Sequence, residues 1–211
     1  MLTGVIGGLA SSTATTLSLS RFVKDGADAR DIAAGVITAN VVMLIRVGFL
    51  LAAVSRQILS AVWPALLAGA LAGAAAAWLL WRAAGGSSGE DRTIKLGNPM
   101  EIRPALFFAA ILAAVSLASS FGAEQFGSAG LFIVGLISGL ADVDAITLTA
   151  GRHAAGVGAA AAGAAVMAAV AANMVTKAAM AWSIGGRRLG SIVAGAFAAV
   201  IGVGAAVLFF I

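Results

Sequence analysis

Two aspartates, Asp142 and Asp144, stand two residues apart inside a stretch (125 to 152) long enough to cross a membrane. Two bases, Arg46 and Lys177, each stand ten residues before a second base, Arg56 and Arg187, and Asp142 stands ten residues before Arg152. On helices rising about 1.5 Å per residue, ten residues is about 15 Å, half of a hydrocarbon layer, so all three groups reach the midplane. Charges at that depth are costly, face the protein interior, and mark ion, solute or proton paths. Two acids and two bases make a neutral set, with Arg46 and Lys177 as counter-charges to the aspartates. If the set only pairs, the same residues are salt bridges that hold helices together.

A spacing of two turns the aspartates about 200° from each other on a regular helix, so they do not share a face of an intact one. Either Asp144 faces a second helix, or the helix is unwound there and lends its carbonyls to a cation. The segment has no proline, which favours the intact helix. Hydroxyls cluster at Ser11, Ser12, Thr13, Thr15 and Thr16. They can accept from Arg or Lys and can coordinate a desolvated ion, or they can hydrogen-bond between closely packed helices. Thr147, Asn40 and Asn173 lie near the charged positions and are supporting polar candidates. If a metal binds at all, Asp142 and Asp144 are its ligands.

These residues need helices in lipid to hold them. Of 211 residues, 61% are hydrophobic and 10% charged, against about 25% charged in a soluble domain. Runs without charge cover 1 to 20, 57 to 81, 104 to 123, 154 to 176 and 189 to 211. With 31 to 56 and 125 to 152 they predict seven spans, at roughly 2 to 20, 31 to 54, 58 to 82, 104 to 122, 127 to 150, 157 to 183 and 189 to 211. The expected fold is an all-α polytopic transmembrane bundle, with a loop over 83 to 103 that ends at Pro104, where a helix starts. The net charge of +4 comes from bases beside the spans, so no nucleic-acid partner is implied. There is no cysteine, hence no disulfide or thiolate site. On the seven-span scheme eight Lys and Arg fall in the loops after spans one, three and five, and three (Arg56, Arg187, Arg188) in the others. That places the N-terminus outside and the C-terminus in the cytoplasm.

Sliding the chain by 131 residues lays Gly4 to Arg21 over Gly135 to Arg152, with nine of 18 positions identical. The same offset pairs Arg46 with Lys177 and Arg56 with Arg187, and sets Ser11 and Thr13 over Asp142 and Asp144. This predicts an internal repeat, 1–82 and 104–211. Four intervening spans make the copies parallel, and the first lacks the helix that would match 104 to 122.

The stretches Gly7-Gly-Leu-Ala-Ser-Ser-Thr-Ala-Thr-Thr-Leu-Ser-Leu-Ser-Arg21 and Ser138-Gly-Leu-Ala-Asp-Val-Asp-Ala-Ile-Thr-Leu-Thr149 resemble the two signatures of a bacterial membrane domain of unknown function that follows an MgtC/SapB-type domain in larger proteins. The resemblance implies the bacterial inner membrane, an association with magnesium homeostasis, and a separate MgtC-like subunit as a partner, since this chain lacks that half.

The residues and the resemblance together predict a transporter-like or channel-like protein for an inorganic cation, proton-coupled or magnesium-related. Asp142, Asp144, Ser11 and Thr13 form its ion or proton site. The other reading is a non-transporting membrane partner or regulator whose buried charges only fix packing. A homo-oligomer fits either. No enzyme is expected, because no serine has a histidine at depth and the aspartates share one helix. No cofactor is expected.

Overall fold

In the computed structural model, residues 2–85 and 102–210 are described, and they form six helices with short connections and, among the described residues, no strand. These are α1 (Leu2–Phe22), α2 (Ala29–Val54), α3 (Arg56–Ala83), α4 (Ile102–Gly139), α5 (Asp144–Val157) and α6 (Ala159–Phe210). The loop expected over 83–103 falls mostly on residues outside those described, and Arg92 and Lys95 with it. Among the described residues, α2, α3 and α6 are long and apolar enough to cross a membrane. Phe49, Leu71, Phe121, Phe126, Ile137 and Phe209 stay more than 60% exposed, a surface that lipid covers without penalty and water does not. The chain is a helical membrane protein.

Three helices are interrupted within their length: α1 at Ser11, α4 at Gly127 and α6 at Gly186. Gly127 (φ 56°) and Gly186 (φ 84°) occupy left-handed conformations open to glycine, so each is a place where the chain can leave the helix without strain. α6 is 52 residues long, about 78 Å if straight and far more than one bilayer. It folds back at Gly186: a methyl group on Gly190 would stand 2.6 Å from Trp182 Cα.

The helices divide into two compact units. The first holds Met1–Arg46, Pro64–Lys95 and Met174–Ile211. Its core is α2, where Ala33, Ala34, Val36 and Ala39 are fully buried. Beside α2 runs α3 in the opposite sense, with Gly73 against Val41 and Ile37 and Gly69 against Leu44. On another side lies α1. A methyl group on Gly4 would collide with Gly35 O, and one on Gly8 would stand 2.8 Å from Ala39 Cα. One on Gly35 would stand 2.9 Å from Leu19 Cδ1. Positions 4 and 19 thus meet the same residue of α2, although an unbroken helix would hold them about 22 Å apart. So α1 is not the single rod expected over 2 to 20. Residues 2–10 run along α2, the chain turns at Ser11, and residues 12–22 run back.

The second unit holds Val47–Trp63 and Leu96–Asn173. The end of α4 lies along the start of α6, where a methyl group on Gly135 would stand 2.6 Å from Ala165 O and one on Gly139 would stand 2.6 Å from Ala169 Cα. Gly135 is therefore level with a position about 10 Å beyond the α5–α6 junction at Gly158, where a straight helix from 135 to 157 would put it about 33 Å away. The chain must reverse between α4 and α5. It does so at Leu140–Val143, and α5 returns toward Gly158. The intact helix favoured for Asp142 and Asp144 is thus replaced by a break, made without proline: Asp142 lies in the turn and Asp144 opens α5.

The order of buried and exposed positions over 4–13 recurs over 135–144, an offset of 131. Over 41–50 it recurs over 171–180, an offset of 130. By burial, Lys177 therefore matches Val47, and Arg46 matches Thr176.

Candidate functional site: two polar helix breaks

Each reversal leaves backbone groups without helical partners, and side chains take them up. At the first, Ser11 is extended (φ −162°, ψ 112°) and its Oγ accepts from Ala14 N at 3.2 Å. That is an N-cap, which starts a new helix three residues before Ala14. On the outgoing side, Arg46 Nη1 donates to Leu9 O at 3.4 Å, a long contact that sets a positive charge near the carbonyl end of the first half-helix.

Lys177 enters the same unit. Its side chain is fully buried, and Nζ donates to Ser12 Oγ (2.8 Å), Asn40 Oδ1 (3.0 Å) and Met43 Sδ (3.2 Å). The structure thus joins three sequence-predicted residues, Ser12, Asn40 and Lys177, and adds Met43, which patterning reads as ordinary core. Thr16 is buried and its hydroxyl donates to Ser12 O at 2.8 Å. Ser11 and Thr13 are half-buried beside this cluster.

At the second reversal, Asp142 N closes the last turn of α4 on Ser138 O at 2.8 Å, and Asp142 Oδ1 accepts from Val143 N at 2.9 Å. Thr147, fully buried, donates its hydroxyl to Val143 O at 2.8 Å, the counterpart of the Thr16–Ser12 bond. Both aspartates are half-buried, and Asp144 lies in the first turn of α5, where a negative charge suits the helix dipole. Asn173, 2% exposed, donates Nδ2 to Gly139 O at 2.9 Å, and its Oδ1 is buried with no hydrogen-bond partner. An amide's two heavy atoms are fixed to one another, so this open acceptor lies beside the break. Buried orphan acceptors carry a desolvation cost of about 1–3 kcal/mol, which a bound donor or cation would remove.

A family model described as a domain of unknown function, DUF4010, matches residues 1–185. The chain belongs to the DUF4010 family. Both breaks of this DUF4010 protein lie within the matched region. A protein of Aquifex aeolicus (strain VF5) called only uncharacterized is 26% identical over 192 residues, covering 90% of this chain and 84% of its own. No solved structure matches the DUF4010 chain. The family description carries the unknown-function half of the expected resemblance and says nothing of an MgtC/SapB domain.

Asp142 and Asp144 belong to one unit, Ser11 and Thr13 to the other. Among the described residues no three Asp, Glu, His or Cys side chains gather as a metal cluster would require. A cation at the second break would be held by a carboxylate, an amide oxygen and main-chain carbonyls.

Proposed function

We propose that this protein is a transporter-like integral membrane protein for an inorganic cation, and that the break at Leu140–Val143 is its ion site. Asp142 supplies the charge, Asn173 Oδ1 a neutral ligand, and Asp144 a second carboxylate or a proton carrier. Arg46 and Lys177 are the compensating positive charges of the first break, near Ser11 and Thr13. The observation that carries the reading is the pair of interrupted helices at matched positions, Ser11 over Asp142. Interrupted helices in corresponding halves of a membrane protein are where transporters bind ions and polar solutes, because free backbone groups and helix ends are available at depth.

A ligand set with few formal charges fits a monovalent cation ahead of Mg²⁺, which demands near-octahedral oxygen geometry and sheds water reluctantly. The resemblance to MgtC-associated domains keeps magnesium and an MgtC-like partner within the proposal. So does the bacterial inner membrane as the location.

The packing alternative also has an observation behind it. Lys177 Nζ is held by three neighbouring acceptors, as a purely structural lysine would be. Flux separates the two readings. Purified protein in proteoliposomes is offered Na⁺, K⁺, Li⁺ and Mg²⁺, with and without a pH gradient. Transport predicts uptake of at least one ion, lost in Asp142→Asn. No uptake of any ion by folded protein would leave the partner or regulator reading.

A further inference from the structure

We infer that α1 and the α4–α5 reversal are re-entrant hairpins that enter the membrane and leave by the side they entered, and that the two are inserted from opposite faces. The chain then crosses five times instead of seven.

The fold-back in each unit carries the first part. Leu2 and Phe22 lie at the same end of α2, because positions 4 and 19 both meet Gly35, seventh residue of that helix. The tip at Ser11 reaches the middle of α2, near Asn40 and Met43, which share Lys177 with Ser12. In the second unit Gly135 meets Ala165, again the seventh residue of the following helix, α6. The tip at Leu140–Val143 reaches the level of Asn173, 14 residues or about 21 Å into α6. Each hairpin thus goes about halfway into the layer and returns. Irregular backbone at that depth needs protein around it, and Ser12 (4% exposed) and Val143 (1%) have it.

Chain parity carries the second part. Between the hairpins lie α2, α3 and the stretch of α4 before Gly127, which at 25 residues is long enough to cross. Three crossings put the second hairpin on the face opposite the first, so the repeat is inverted and not parallel, with the first part of α4 as its connecting crossing.

The distribution of bases, which played no part in the fold-back, agrees. On this scheme Arg187 and Arg188 join the side of Arg21, Lys24 and Arg82, while Arg152 moves to the side of Arg56. Eight against three becomes nine against two, a sharper bias. The rich side is cytoplasmic, so the N-terminus is inside and the C-terminus outside, the reverse of the seven-span scheme. The hydroxyl tip is then approached from the cytoplasm and the aspartate tip from outside.

The chain lacks cysteine, so single cysteines can be read by a membrane-impermeant maleimide on intact and on permeabilised cells. Asp25→Cys (inside) and Gln57→Cys (outside) have the same side on both schemes and serve as controls. Ala155→Cys and Ser183→Cys differ. Labelling of intact cells at Ala155→Cys but not Ser183→Cys is expected. The opposite result, or equal labelling of both, overturns the inference. The unsubstituted chain gives a second readout through its C-terminus: fused alkaline phosphatase is active and fused green fluorescent protein dark if the end is outside, and the reverse result overturns the scheme. These readouts are independent of flux, so an inert protein with this topology would end the transport proposal and leave this one standing.

Discussion

The reversal at Ser11 and the reversal at Leu140–Val143 share a backbone plan and differ in chemistry. In both, a small-residue half-helix runs against the next helix through glycines, the chain turns, and a threonine ties its hydroxyl back to the carbonyl four residues earlier, at the foot of the returning half. The first turn is capped by a serine and attended by two bases, Arg46 through Leu9 O and Lys177 through Ser12 Oγ. The second carries two carboxylates and an amide with an open oxygen. One scaffold has been given a basic tip in which the lysine ammonium occupies the acceptors, and an acidic tip with an acceptor still unused. The difference is that the first tip is filled by the protein's own lysine, whereas the second keeps the buried Asn173 Oδ1 without a partner, which is where the proposed function seats its cation.

The largest expected effect breaks the first half of that contrast. Lys177→Ala leaves Ser12 Oγ and Asn40 Oδ1 facing a void in the core of a unit, and should cost about 3 kcal/mol or more in thermal unfolding of the detergent-solubilised protein. Lys177→Met, which refills the space, should recover part of it. Asn173→Ala removes one hydrogen bond and one orphan acceptor together and should cost about 1 kcal/mol. An equal loss at both positions would mean that the second tip is as self-contained as the first.

Next come the glycines that bring the half-helices in. Gly8→Ala and Gly139→Ala each place a methyl group under 3 Å from the backbone of the facing helix, so each should destabilise by about 1–3 kcal/mol. Gly195→Ala, which has nothing within 4 Å, should be neutral or slightly stabilising. A penalty at Gly8 alone would show that the two approaches are not equivalent. The smallest effect sharpens the chemistry: Ser11→Ala should cost about 1 kcal/mol by removing the cap, while Ser11→Asp keeps the cap beside Arg46 and should match the parent or exceed it.

Much of this was legible in the sequence. The helical class, the apolar faces and the 131-residue relation between the two hydroxyl and aspartate stretches followed from residue types and spacing. The breaks did not. A 20-residue stretch without charge or proline reads as a rod, and only the contacts of Gly4 and Leu19 with one residue of α2 reveal that it doubles back. The hydroxyl run at Ser11 reads as ion ligands or as interhelical hydrogen bonds, because serine is ordinary inside small-residue membrane helices, and nothing in composition singles out Ser11 as a cap. The pairing of Arg46 with Lys177 failed by one residue, since the whole stretch from the turn into the following helix is one residue longer after Ser11 than after Asp142, the longer connection after Phe22 being mostly offset by a longer α5. That slip puts Lys177 in the core and Arg46 half-exposed. Met43 and Leu9 O went unseen because a thioether and a main-chain carbonyl have no sequence signature as partners for a base.

The claim that the second tip is the one left open is tested most directly by cation-dependent thermal stabilisation of the purified protein, with choline as the reference ion, in the parent chain, Asp142→Asn, Asn173→Ala and Ser11→Ala. The account predicts that a small inorganic cation raises the melting temperature of the parent and of Ser11→Ala, that Asn173→Ala needs at least tenfold more ion, and that Asp142→Asn does not respond. Full response in Asp142→Asn, or none in the parent to Na⁺, K⁺, Li⁺ or Mg²⁺, would contradict it.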